Sequence, residues 1–219
     1  MNKRSASVLW EAALAVALLL PGHAMATEEA KYKILERDGD FELRQYEPQI
    51  VAETLVEGDF AEAGNRAFNL LFQYINGNNR SRQAIAMTAP VAQEARSEKI
   101  AMTAPVGQEA TASGWTVSFM MPAGQTLETL PVPTDPAVKL RAIPARQMAS
   151  VRYSGRWTRA LYERHREQLR TWIEQKKLTI AGSELWARYN PPFMPWFMRR
   201  NEILIPVKSS SSSDKDARQ

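Results

Sequence analysis

The sequence contains no cysteine and only two histidines among 219 residues. The missing thiols exclude disulfides, thiolate nucleophiles, zinc–thiolate sites, iron–sulfur clusters and cysteine-ligated prosthetic groups together. A metal site would need clustered histidines or carboxylates, and the sequence offers neither. No nucleophile elbow surrounds a serine. No glycine-rich phosphate loop occurs, since Asn76-Gly77-Asn78-Asn79 reads as a helix terminator. No carboxylate pair stands in apolar sequence, so no enzyme chemistry is expected. Charge is equally plain: 28 Lys plus Arg against 24 Asp plus Glu leave +4. That charge is scattered rather than gathered into the basic stripe that nucleic acid requires, so nucleic acid is not an expected partner.

A long hydrophobic run is also missing. Ala12 to Leu20 is unbroken but too short to span a bilayer comfortably. With Lys3 and Arg4 before it and Pro21-Gly22 after it, the run reads as the core of an export signal. Ala24-Met25-Ala26 places small residues where a signal peptidase reads, so residues 1–26 are expected to be a signal peptide cut after Ala26. The expected location is periplasmic or secreted. His23 leaves with that segment, which makes His165 the single histidine of the mature chain. Residues 208–219, with serines from Ser209 to Ser213, read as a disordered polar tail. The body between, 27–207, is long enough to bury a core without disulfides and is expected to be monomeric.

Two amphipathic helices stand out in the body. The first runs from about Asp59, an N-cap, to Gly77, a C-cap. Phe60, Gly64, Ala67, Leu71, Tyr74 and Ile75 fall on one stripe at helical period, which Phe68 and Phe72 extend on one side. The second runs from about Trp157 to Lys177, with Trp157, Leu161, His165, Leu169 and Trp172 on its stripe. Strands are predicted over Phe41–Tyr46, Ile50–Val56, Trp115–Met121, Val138–Ile143, Met148–Tyr153 and Glu202–Val207. Pro131, Pro133 and Pro136 mark a long turn between two halves.

Two internal repeats organise these elements. At an offset of 97 positions, Ala52 meets Ala149, Gly58 meets Gly155, Phe60 meets Trp157 and Ala63 meets Ala160. Each half thus offers a strand, a glycine, an aromatic residue and a helix. This predicts an α+β fold of pseudo-twofold duplicated strand–helix–strand units, with two long helices on one antiparallel sheet. The second repeat is short: Ile85-Ala-Met-Thr-Ala-Pro-Val91 recurs as Ile100-Ala-Met-Thr-Ala-Pro-Val106. Both copies read as strands whose methionines, Met87 and Met102, fill a core, with Pro90 and Pro105 at strand ends or edges.

These pieces carry a family resemblance. Phe41-Glu-Leu-Arg-Gln-Tyr46, the helix ending Tyr74-Ile-Asn-Gly77, the doubled IAMTAPV, Trp115 to Pro122 with Thr126-Leu-Glu, and Arg188-Tyr-Asn-Pro-Pro192 with Arg199-Arg-Asn-Glu202 resemble the SOUL haem-binding family over about residues 31–207. The resemblance implies a distorted antiparallel β-barrel of about eight strands with two long helices. It implies non-enzymatic, non-covalent binding of haem or a related tetrapyrrole in an apolar cleft beside the first helix and the 191–200 loop.

At the matching positions the helix offers Gly64 for backbone access, with Phe68, Leu71 and Phe72. The loop offers Phe193, Met194, Trp196, Phe197 and Met198, a dense apolar patch of the kind that marks a binding site. Arg66, Arg199 and Arg200 are the candidate partners for propionates. The chain departs from the family pattern at Gln45, where some members carry a strand histidine, and at Asn65, Gln73 and Met194, where others carry basic residues. If iron is coordinated, His165 is the candidate ligand; a satisfied core histidine is the plainer reading. The alternative function is a protein- or membrane-interaction module that docks through the apolar 193–198 loop, with no haem role.

Overall fold

The computed structural model describes residues 27–82 and 97–209. The expected signal peptide, the first IAMTAPV copy and the chain beyond Ser209 lie outside the described residues. Ten strands form the main sheet. They are β1 (Tyr32–Asp38), β2 (Phe41–Tyr46), β3 (Gln49–Val56), β4 (Val106–Thr111), β5 (Gly114–Met120), β6 (Lys139–Ile143), β7 (Arg146–Tyr153), β8 (Leu178–Ile180), β9 (Leu185–Arg188) and β10 (Asn201–Ser209). Helix α1 (Phe60–Ile75) follows β3, and α2 (Arg159–Gln175) follows β7. The neighbours run β6-β3-β5-β4-β9-β10-β7-β2-β1, with β8 pairing the far end of β10. Every pairing in this sheet is antiparallel. The end strands β6 and β1 do not meet, so the distorted antiparallel barrel expected above is a strongly curled half-barrel, of ten strands among the described residues.

Both helices cover the same face of the sheet. Strand alternation sends Ala52, Val117 and Phe119 toward α1, whose Ala67, Leu71, Tyr74 and Ile75 close over them. The same alternation sends Ala149, Val151, Ile203 and Ile205 toward Leu169, Trp172 and Ile173 of α2. Helix α1 starts where Asp59 Oδ1 accepts the Glu62 amide at 2.9 Å. It ends in a Schellman turn at Gly77, whose φ of 112° favours glycine; Asn78 N donates to Gln73 O at 2.9 Å.

Helix α2 starts two residues later than the sequence pattern suggests. Thr158 is its N-cap, and Trp157 stands outside the helix with its indole donating to Asn201 Oδ1 at 2.8 Å. Trp157 is therefore not part of the helical stripe. The second IAMTAPV copy also departs from expectation. Thr103–Ala104 pairs with Glu28–Glu29 and Val106 opens β4, but Ile100–Met102 forms no strand and Met102 is exposed rather than core. Pro105 does fall at a strand end, between that short pair and β4. The last strand runs on through Ser209, two residues past the body boundary read from sequence.

The other face of the sheet, inside the curl, is where the sequence pattern misleads. Glu42 and Arg44, which alternation leaves opposite Phe41 and Leu43, are buried rather than solvated. Arg44 bonds Glu202 (2.6 and 3.2 Å), Glu42 (2.6 Å) and Tyr46 Oη (3.1 Å). Glu202 is fully buried and also accepts from Arg200 and Tyr189, each at 2.9 Å. Buried charges persist when paired and hydrogen-bonded in this way. The network ties β2 to β10 at one end of the curl.

Candidate functional site

The segment between β9 and β10 carries the exposed apolar side chains. Phe193 is 85% exposed and Phe197 61%. Trp196 and Met198 are also exposed, and Met194 is half-buried. Trp196 and Phe197 meet edge-to-face with centroids 5.6 Å apart. Three prolines, Pro191, Pro192 and Pro195, give the segment its turns, and its backbone is held on several sides. Met194 N donates to Pro191 O (3.1 Å), Met198 N to Pro195 O (2.9 Å), and Gly155 N reaches Trp196 O from the β7–α2 connection at 3.1 Å. Arg199 donates to the carbonyls of Met194 (2.8 Å) and Pro192 (2.6 Å), and Arg200 N to Asn190 Oδ1 (2.6 Å). The backbone is pinned while the rings face water, which suits a preorganised contact surface.

A chain of cation–ring contacts joins this loop to α1. The Arg199 guanidinium lies 4.3 Å from the Trp157 ring centroid. Arg188 lies 5.0 Å from the same ring and 4.4 Å from Trp186. Arg188 also donates to Gln108 Oε1 at 2.9 Å. Both residues border Gly64: a Cβ there would stand 3.3 Å from Gln108 Oε1 and 3.6 Å from Arg188 Nη1. The glycine thus lets the helix backbone approach this cation. Phe68 and Phe72 follow at four-residue steps along the same side of α1. Their rings stack at 5.7 Å, and Phe68 also meets Phe119 at 5.3 Å, so Phe72 is the more exposed of the two. On the loop side, Arg156 lies 5.8 Å from the Trp196 centroid. Neither Arg156 nor Arg199 forms an ion pair with a carboxylate of the described residues. Burial pushes the Arg188 guanidinium down to about 10, so it stays charged at neutral pH.

The residues selected from sequence divide on this geometry. Phe193, Met194, Trp196, Phe197 and Arg199 lie on the loop; Gly64 is buried against Gln108 and Arg188 and offers a ligand no backbone access, and Phe68 and Phe72 lie further along α1. Leu71 is fully buried between helix and sheet and has no surface to offer a ligand. Arg200 is committed to the carboxylates of Glu29 and Glu202 and stacks on Tyr189 at 3.7 Å. Arg66 is exposed and donates to the Glu57 carbonyl over Gly58. Asn65 and Gln73 are exposed on α1. Gln45 pairs with Gln147 in the sheet, and its amide reaches Tyr46 O at 3.3 Å.

His165 lies elsewhere. Its ring stacks on Tyr153 with centroids 4.2 Å apart, in a groove shared with Asp40, Phe41 and Trp172. No residue lining that groove belongs to α1 or to the 191–200 loop. Burial lowers the His165 pKa, against an opposing hydrogen bond to Gln168 that favours the charged ring. Among the described residues no group of three or more His, Asp or Glu gathers as a metal site. Arg156, Trp157 and Arg188 escaped the sequence selection. Arg188 heads the RYNPP motif, and that position was its one visible signal.

The geometry defines a class: a curled antiparallel half-barrel backed by two helices, with a pinned aromatic loop beside one of them. A family model described as SOUL heme-binding protein matches residues 27–206. The chain belongs to that family, a family of haem binders. It is 29% identical over 145 residues to mouse heme-binding protein 1, spanning 66% of this chain and 71% of that protein. Among solved structures, the EcmrR C-terminal domain superposes with a TM-score of 0.54 at 14% identity, covering 81% of this chain and 98% of that one. A structure described as a hydrolase from Listeria innocua gives 0.53 at 13% identity, covering 80% and 94%. At such identities these two share the fold alone. Non-covalent haem binding is supported at the level of the family.

Proposed function

We propose that the protein binds haem or a related flat tetrapyrrole, without turning it over, on the surface between α1 and the 191–200 loop. One observation carries this reading: a loop pinned by its backbone, with Phe193, Trp196, Phe197 and Met198 exposed beside the guanidinium groups of Arg156 and Arg199. The rings and thioethers suit the face of a macrocycle, and the guanidiniums suit its propionates. Arg188 adds a third cation at the Gly64 end. Among the described residues no imidazole reaches this surface, so packing and propionate pairing hold the ring and His165 does not ligate iron. The protein acts as an exported monomer, cut after Ala26. We read β3–α1 and β7–α2 as two halves of a pseudo-twofold unit. Their strands, 49–56 and 146–153, are equal in length and begin and end 97 positions apart, in support of that reading.

The test is haemin titration into residues 27–219, followed by the Soret band and tryptophan quenching. Saturation at one haemin per chain in the micromolar range is expected, with His165→Ala giving the same Soret position. Absence of saturation overturns the binding reading. A Soret shift in His165→Ala overturns the ligation reading alone. The competing use of the same loop, docking on a protein or membrane, predicts liposome or partner association with no saturable haemin response.

A further inference from the structure

The inner face of the half-barrel encloses a cavity of about 680 Å³ that plays no part in the α1–loop surface. That volume fits a small organic molecule. Its floor is apolar, formed by Val51, Met120, Ile143, Met148, Leu185 and Leu204 from six different strands or strand ends. Three charged side chains border this floor within the curl: Glu109 from β4, Arg141 from β6 and Arg146 from β7; Lys208 stands exposed at the rim. Arg141 is already neutralised by a two-pronged contact with Glu53, at 2.9 and 2.7 Å. Arg146 is not. Its Nε is shielded from solvent without a hydrogen-bond partner, and among the described residues Arg146 forms no ion pair, with Glu109 its nearest acidic influence. Arg146 is half-buried and lines the cavity, so its outer guanidinium nitrogens are the donors a carboxylate there could pair with.

We propose that this cavity is a second ligand site, for an amphiphilic anion whose carboxylate pairs with Arg146 and whose apolar body lies on the floor between β3, β5 and β10. The charge balance favours an anion over a cation. Glu202, the most deeply buried carboxylate on this face, is spent on Arg44 and Arg200 and offers no counter-charge. A cation would rest on Glu109 alone, with Arg146 and the rim Lys208 opposing it, since Arg141 and Glu53 cancel. Burial works against the charge of Arg146, with Glu109 partly offsetting it, consistent with a cation short of a partner. The site is independent of the tetrapyrrole reading, since none of its lining residues comes from α1 or from residues 191–200.

The experiment is calorimetric titration of the full chain with dodecanoate, dodecanol and dodecyltrimethylammonium, each below its micellar concentration. Dodecanoate is expected to bind at one per chain, at least tenfold tighter than either the alcohol or the ammonium. Arg146→Gln is expected to weaken dodecanoate at least tenfold while leaving haemin affinity unchanged, and Glu109→Gln to tighten it. Trp196→Ala is expected to leave dodecanoate binding unchanged. Equal or tighter binding of the ammonium compound, no saturable dodecanoate binding, or an Arg146→Gln variant that binds as wild type would each overturn the proposal. The three-ligand comparison on the wild-type chain decides the matter even where a variant fails to fold.

Discussion

Glu202→Ala is expected to lower the thermal midpoint by roughly 10 °C. Breaking a buried pair by removing one partner costs about 3–5 kcal/mol, and each kcal/mol shifts a domain of this size by roughly 2–4 °C. The site meets the conditions for the upper part of that range. The carboxylate is fully buried and holds two guanidiniums, Arg44 and Arg200, together with the Tyr189 hydroxyl. Removal leaves Arg44 with Glu42 as its one remaining carboxylate partner, in the interior of the sheet. Glu202→Gln keeps the shape and is expected to lose less, because Tyr189 and one guanidinium retain an acceptor.

The same network sets an acid limit. Burial by itself raises the Glu202 pKa, but the hydrogen bond and charge of Arg44, then Arg200 and Tyr189, outweigh it and hold the carboxyl below its ordinary 4.5. A carboxyl depressed in the fold adds stability that is fully present above 4.5 and disappears as pH falls through the lower folded value. Thermal midpoints of wild type and Glu202→Gln between pH 7 and 3 should therefore converge on the acid side. Parallel curves, or an alanine variant within 2 °C of wild type, would contradict the network's assigned role.

The second large effect falls on binding. Trp196→Ala combined with Phe197→Ala is expected to weaken haemin roughly 100-fold, since aromatic anchors at a contact centre commonly carry ~2 kcal/mol or more each and do not add fully. Stability should barely move, because both rings are exposed and the loop is held by backbone bonds and by Arg199. Haemin titration beside a thermal melt separates the two quantities. Weakened haemin binding that merely tracks a collapsed melting curve would assign the rings to structure instead.

Much of this architecture was legible in the residues themselves. Helix α1 announces its buried stripe, its Asp59 cap and its Gly77 stop within one segment, because each depends on neighbours a few positions away. The inner face of the sheet was not legible. Glu42 and Arg44 look solvent-facing in β2, and only a partner 158 positions distant makes their burial tolerable. Strand β9, four residues long, gives too little alternation to read.

The binding surface shows the same division. A run of aromatics and methionines among prolines is visible as an apolar patch, so the loop could be selected in advance. Arg188 and Trp157 acquire their place only when β9, the β7–α2 connection and Gly64 of α1 are brought together by the sheet. The His165 stripe position was legible, yet its separation from the loop follows from which side of α2 faces β7, and sequence periodicity does not fix that. Arg200 looked equivalent to Arg199 by adjacency. Alternation at the start of β10 sends one to the loop carbonyls and the other to Glu29 and Glu202.

The most direct measurement is paramagnetic broadening of backbone amide resonances on titration of the labelled chain with ferric haemin. The account predicts selective loss of signal from residues 64–72 and 193–199, with Met120, Leu204 and the His165 groove unaffected. Broadening centred on the inner cavity or on His165 and Tyr153, with the loop untouched, would contradict it.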